Sequence, residues 1–324
     1  VLTGRNLIIN GAMQVWQRAT AATTATNDAY STVDRFKFFN SNDGAYTTEQ
    51  STTAPSSEGF TYSLKAVVTT ADTSIGATQY AAISQYIEAQ NLQHLGYGTS
   101  SAKSLTLSFW VRSNKTGTYT IALEKSDSTL YRYVKEYSIS TADTWEKKTI
   151  TIEPDSQIKA SAGAIDNDNG YGIRVFWNLI WGSTFNGATD GVWSSNSSDY
   201  ATSNQVNWMD TLSNDFYLTG VQLEVGQTAT PFEHRSYGEE LARCQRYFFN
   251  FPDAAYNIHA APYTASISIA HFEFPVTMRT LATMVITDGA GTSNSTGISP
   301  EGFHHVYTDV YSNFISTFTA DAEL

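Results

Sequence analysis

At 324 residues the chain has room for two domains, of about 230 and about 80 residues. Only 15% of residues are charged, yet they leave a net charge of −12, a surface that repels phosphate backbones and anionic membranes and so argues against both as partners. One cysteine, Cys244, excludes an intramolecular disulfide framework. Aromatic residues reach 13%, and Ser, Thr, Asn and Gly crowd the stretches between apolar runs, a composition that predicts an all-β protein rich in turns. No apolar run approaches the ~20 residues of a membrane span, and no basic-then-apolar signal segment opens the chain. It begins with Val1 rather than Met, as a processed chain or a piece of a longer one would.

In chain order, residues 6–16 (NLIINGAMQVW) hold a short strand and an Asn-Gly turn. The polar stretch 19–32 is a surface loop, and 33–39 (VDRFKFF) alternates as a strand. Further strands are predicted at 62–70, 78–89, 105–113, 119–123, 131–139 and 145–152, each bounded by Gly, Asp, Asn or Ser. In the third of these Leu105, Leu107, Phe109 and Val111 make one apolar face. The most apolar run is 171–181 (YGIRVFWNLIW), where period two puts Ile173, Val175, Trp177, Leu179 and Trp181 on one side. A polar connection without periodicity follows, from Gly182 to about Asn207, of a length that is usually functional or disordered.

The stretch 215–249 organises the chain. Tyr217, Val221, Leu223 and Val225 read as the buried face of a strand that Gly226 ends. Ser236 meets the requirement for a helix N-cap with Glu239 completing a capping box, and Glu239 can pair with Arg243 one turn on. Leu241, Cys244 and Phe248 recur at helical spacing, which makes Cys244 a small buried hydrophobe. Beyond it, 265–274 and 281–287 alternate as strands and lead into the turn cluster DGAGTSNSTG. The run 303–319 sets Val306, Val310, Phe314 and Phe318 opposite Tyr307, Tyr311 and Ile315. Two apolar faces exceed what a sandwich of about 75 residues needs, and oligomerisation is a common remedy for so small a core. Leu241, Tyr307, Tyr311 and Ile315 are the candidate subunit contacts, with a recognition face as the alternative role for Tyr307 and Tyr311.

The segment TGVQLEVG followed by ATPFEHRSYGEELARCQRY resembles one found in tail-fibre and receptor-binding structural proteins of tailed bacteriophages. The opening GRNLIINGAMQVWQRAT and the ending TADAEL are similar to the two ends of the same proteins. Within the first domain, the pair Ser108–Ser113 and Gly117–Ile121, the strand Thr144–Ile152 and the strand Tyr217–Gly226 resemble the layout of carbohydrate-binding modules with a jelly-roll fold. The expected architecture is all-β: a jelly-roll β-sandwich over 1–235, a short helix and connector over 236–250, and a smaller C-terminal β domain over 251–324. A homotrimer is implied by the tail-fibre resemblance. The resemblances imply a virion protein exposed outside the host cell, with partners among other virion proteins and host cell-surface polysaccharide or lipopolysaccharide.

Candidate chemistry is sparse. A glycosidase needs two carboxylates at a defined separation across a cleft. Asp34, Glu58, Glu88 and Glu224 carry no such context, and a role as surface or hydrogen-bonding residues accounts for them. The turn Asp166-Asn167-Asp168-Asn169-Gly170 is rich in oxygen but departs from the EF-hand loop at Gly170 and Trp177. No cofactor is therefore expected, although carbohydrate-binding modules of this fold often hold a structural calcium. His304 and His305 are neighbours in a strand, so their side chains diverge and cannot share a metal. Sugar rings stack on aromatic faces and satisfy their hydroxyls with amides and carboxylates, and the loop carrying Trp193, Asp199, Tyr200 and Asn204 offers both. Tyr97, in a glycine-flanked loop, is a second candidate. The competing reading of Trp193 is a lid packed on the strand face, and Trp110, Trp145, Trp177 and Trp181 are expected in the core. Non-catalytic glycan attachment is thus the leading expectation. A purely structural virion connector comes second and a polysaccharide depolymerase third.

Overall fold

Alternating apolar residues in the first 235 positions form twelve strands. They are β1 (Thr23–Thr24), β2 (Lys37–Ser41), β3 (Ala45–Ser51), β4 (Ser63–Thr70), β5 (Tyr80–Glu88) and β6 (Leu105–Arg112), then β7 (Gly117–Lys125), β8 (Tyr131–Ile139), β9 (Glu146–Ile152), β10 (Tyr171–Trp181), β11 (Trp193–Ser194) and β12 (Asp215–Val225). The structure is a computed structural model and describes residues 4–251, 258–264, 267–290, 293–308 and 314–324. The strands pair antiparallel into two six-stranded sheets, ordered β1-β3-β4-β12-β6-β9 and β11-β8-β7-β10-β5-β2. The chain passes repeatedly from one sheet to the other, giving the jelly-roll sandwich expected from the strand spacing. Leu105, Leu107, Phe109 and Val111 of the first sheet face Ile121, Leu123, Ile173, Val175 and Trp177 of the second, all fully buried. Phe109 meets Trp177 edge-on across the core, with 6.1 Å between ring centroids.

Two bulges correct the period-two reading. In β12, Gly220 adopts φ +62° and the register against β6 slips between Thr219 and Gln222. Such a bulge inserts a residue and shifts the alternation. Phe216 and Leu218 are therefore buried before it and Val221 and Leu223 after it, whereas Tyr217 lies on the outer face beside Trp145 and Arg112. A Cβ at Gly220 would come within 2.7 Å of the Phe60 ring and 2.8 Å of Trp110. In β10 the register against β5 slips between Asn178 and Ile180. Ile173, Val175, Trp177 and Leu179 point inward as expected, but Trp181 is thrown to the outer face.

The opening segment and the end of the sandwich unit interlock. Asn6 donates to the carbonyl of Val221 and accepts from the N–H of Leu223, and the N–H groups of Leu7 and Val221 complete the seam with Leu223 and Gly11. The Glu233 carboxylate accepts from the backbone N–H groups of Gly4 and Asn6, and Arg235 donates to the carbonyls of Ile8 and Asn6. Gln222 accepts from the N–H of Glu233, and Glu224 accepts from Thr230. The residues that carry the tail-fibre resemblance thus hold the two ends of this unit together.

Residues 236–324 form a second compact unit. Ser236 caps the helix Tyr237–Gln245 by accepting from the N–H of Glu239, and Glu239 pairs with Arg243 at 2.9 Å. Strands β13 (Phe248–Phe251), β14 (Ile258–His259), β15 (Ala261–Thr264), β16 (Ile267–Glu273), β17 (Thr283–Ala290), β18 (Ser293–Ser299), β19 (Gly302–Tyr307) and β20 (Phe314–Asp321) follow. β20 pairs with β13, β14 and β17, and a second sheet runs β15-β16-β19-β18. The cluster read as a turn after residue 287 is thus largely strand. The run 303–319 is two strands rather than one, so its faces are not those expected. Phe303, His305 and Tyr307 point inward from β19, and Ile315, Phe318 and Ala320 from β20. Tyr307 and Ile315, expected at a subunit seam, are fully buried within the unit. Leu241 is half-buried, and Tyr311 lies outside the described residues. The closing TADAEL is fastened by Ala322, which donates to the carbonyl of Tyr247, and by Arg279, which donates to the carbonyls of Ala322 and Glu323.

Candidate functional site

The outer face of the second sheet carries large aromatics where a solvent-facing sheet would be polar. Phe39 from β2, Tyr80 from β5 and Phe176 and Trp181 from β10 share it, and the connection after Gly182 folds across it. Buried Asn178 fixes that connection by donating to the carbonyl of Tyr200 at 2.7 Å, while its own amide oxygen accepts from the Trp181 indole N–H at 2.7 Å. Tyr200 and Ala201 both donate to the carbonyl of Phe185. Three rings stack in consequence: Tyr80 on Trp181 at 4.9 Å and 21°, and Trp181 on Tyr200 at 4.2 Å and 12°. Phe185 stands edge-on to all three, 5.5 to 6.1 Å away.

Beside this column lies an open groove of about 360 Å³, lined by Asn27, Asp28, Phe39, Tyr80, Arg174, Phe176, Trp181, Phe185 and Tyr200. That volume is at the small end of the ~300–1,000 Å³ of ligand clefts. Apolar rings flanked by an amide, a carboxylate and a guanidinium suit a ring-shaped ligand with apolar faces and polar edges. Behind Arg174 the sheet buries charge. Glu124 pairs with Arg132 at 2.6 Å and with Arg174 at 3.0 Å, and Tyr171 donates to it at 3.4 Å. The Arg132 guanidinium lies 3.7 Å from the centre of the Tyr200 ring and donates to the Tyr200 hydroxyl. Burial raises the Tyr200 hydroxyl pKa above its ordinary value even against the lowering effect of Arg132.

The aromatic–polar loop supplies part of this site. Tyr200 lines the groove. Trp193 does not: it is 4% exposed, packs on Tyr133 at 5.5 Å, and donates its indole N–H to the carbonyl of Glu153 at 2.8 Å, the lid position. Tyr97 is buried edge-on against Trp193, and burial pushes its hydroxyl pKa up. Asp199 is buried and accepts from Asn196. Asn204 is exposed and donates to Glu136. None of these four lines the groove. Tyr80, Trp181, Phe185, Arg174 and Asp28 were missed. The signal for Trp181 lay in its place at the end of an otherwise regular apolar face, but no feature of the sequence marks the bulge that turns it outward.

Asp34, Glu88 and Glu224 are buried and engaged by protein groups: Asp34 by Gln17 and Arg18, Glu88 by Gln90, and Glu224 by Thr230 and Gln222. Glu58 is exposed. In the oxygen-rich turn Asp168 accepts from the N–H of Gly170. Among the described residues no three His, Cys, Asp or Glu side chains converge as a metal site would. Close to that turn, fully buried Lys125 donates its ammonium to the carbonyls of Asp127, Thr129 and Ala162 at 2.9 to 3.0 Å.

No known family profile matches the chain, and no curated protein matches its sequence. Among solved structures, the enzymatically active domain of tailspike protein 4 from bacteriophage CBA120 aligns with a TM-score of 0.34 and 12% identity. That alignment covers 68% of this chain and 21% of that one. The family 11 carbohydrate-binding module from Clostridium thermocellum, in complex with a mixed-linked β-1,3-1,4-tetrasaccharide, aligns at 0.31 and 13%, covering 65% of this chain and 100% of that one. The tripod from the baseplate of bacteriophage Tuc2009 aligns at 0.24 and 11%, covering 97% and 94%. This chain spans about a fifth of the tailspike chain. Likeness at this distance carries no functional weight.

Proposed function

We propose that this protein is a phage virion component, a tail-fibre or receptor-binding protein, that attaches to host cell-surface glycan without cleaving it. The observation that carries the reading is the groove beside the Tyr80–Trp181–Tyr200 column, with Arg174, Asp28 and Asn27 at its sides. Half-exposed Tyr80 and Phe185 offer apolar surface to the C–H face of a sugar, and the polar groups take its hydroxyls. The virion setting rests on the interlocked GRNLIINGAM and TGVQLEVG…PFEHR segments that resemble tail-fibre proteins. A single groove of this size binds weakly, and a homotrimer would sum several such contacts into firm attachment.

The test is size-exclusion chromatography of the protein mixed with purified surface polysaccharides from candidate host bacteria. Co-elution with polysaccharide of unchanged length supports the reading. Shortened polysaccharide overturns the non-catalytic part of it. A broad panel with no co-elution, together with tight stoichiometric capture of another virion protein, would replace it with a structural connector role.

A further inference from the structure

We infer that the groove takes a glycan bearing a fixed negative charge, a uronate carboxylate or a phosphate ester, at Arg174; this rests on the glycan reading above. The paired charges in and behind the groove do not balance. Arg132 and Arg174 share one carboxylate, Glu124, and Lys37 pairs with Asp28 at 2.8 Å. Among the described ion pairs, two guanidiniums therefore meet the one carboxylate of Glu124, on a chain whose net charge is −12. The partition within the set matters more than the total. Both oxygens of Glu124 are taken, one by each guanidinium, and its side chain is 1% exposed. Asp28, with a side chain 61% exposed, belongs to Lys37.

Arg132 is enclosed, its side chain 3% exposed, and it is further satisfied by the Ser197 carbonyl and the Tyr200 hydroxyl. Arg174 is 13% exposed and lines the groove. It donates to Tyr86, pairs with Glu124 and lies 4.1 Å over the Phe176 ring, while its Nε finds no hydrogen-bond partner among the described residues. A largely buried guanidinium holding half a carboxylate is under-compensated, and a second anionic oxygen is what such a site lacks. The planar guanidinium fork matches carboxylate and phosphate oxygens. The aromatic wall beside it would seat the sugar ring that carries the charge. The net charge of −12 opposes acidic polymer overall, so a charged glycan needs a local cation such as Arg174 to hold it.

The full chain would be titrated calorimetrically, at 0.15 M salt where repulsion beyond about 8 Å is screened. The probes are oligogalacturonate, oligomannuronate and phosphorylated oligomannose, each beside its carboxyl-reduced or dephosphorylated form. At least one charged member is expected to bind ten-fold or more tightly than its neutral partner. Arg174→Gln should bring that ratio close to one, the charged member losing more affinity than its neutral partner, and Arg174→Lys should restore part of the ratio. Neutral members that bind as well as charged ones in every pair would overturn the charge preference and leave glycan binding standing. A ratio that survives Arg174→Gln would overturn the assignment to Arg174. A panel in which neither charged nor neutral members bind would remove this inference and the glycan reading together.

Discussion

Tyr200 lies flat on Trp181, ring centroids 4.2 Å apart and planes 12° from parallel, so a residue of the long connection and a residue of the sheet form one surface. Tyr80 ends the stack as a half-exposed ring. Tyr80→Ala is expected to weaken polysaccharide binding about ten-fold, ~1.4 kcal/mol, with little change in melting temperature. Titration of the variant beside a thermal melt checks both halves. Undiminished binding would place the contact elsewhere.

Trp193→Ala behaves as a core deletion. The indole is 4% exposed between Tyr133 and Tyr97, so its loss costs about 3–5 kcal/mol. Denaturant unfolding measures that loss. Glycan affinity per folded molecule should stay within a factor of two, because Trp193 does not line the groove.

Glu233 couples the ends of the sandwich unit to pH. Burial raises its carboxyl pKa, but the N–H groups of Asn6 and Gly4 and the Arg235 and Arg5 guanidiniums outweigh burial and hold it below the ordinary value. A carboxyl depressed in the folded state contributes stability above its unfolded pKa, about 4.3, and loses it as pH falls through the lower folded value. Melting temperature of the native chain should therefore drop on acidification from about pH 5 to pH 3. Glu233→Gln should melt lower at pH 7 and follow a shallower acid limb. Parallel limbs would show that the carboxylate does not carry this clamp.

Lys125 supplies a positive charge where three carbonyls converge. Lys125→Met leaves those acceptors without their donor and should destabilise the sandwich by about 2–4 kcal/mol. Chelation with EDTA should leave the melting temperature of the native chain unchanged. A fall of several degrees on chelation, reversed by added calcium, would mean that a metal is needed as well.

Much of the sandwich is legible from period two alone: the Leu105, Leu107, Phe109, Val111 face is buried as read, and the Ser236 cap and Glu239–Arg243 pair stand where spacing puts them. The site is less legible, because it depends on a phase error. Trp181 reads as core in any unbroken alternation, and only the slip after Asn178 turns it toward Tyr200. Tyr80 and Arg174 are ordinary strand residues until the sheet order sets β5 beside β10. His271 and His304 show the same limit, since only the pairing of β16 with β19 makes them cross-strand neighbours. Sequence spacing described contacts within a strand, and the groove is built from contacts between strands.

The clamp between Glu233 and the N–H groups of Gly4 and Asn6, with Arg235 on the carbonyls of Ile8 and Asn6, closes the sandwich unit into a loop whose mouth is a few hydrogen bonds wide. A pull applied between residues 4 and 235 would load that mouth directly. Under such a pull the bonds at the mouth would be expected to yield before those beneath the aromatic column, because they bridge the two points of load.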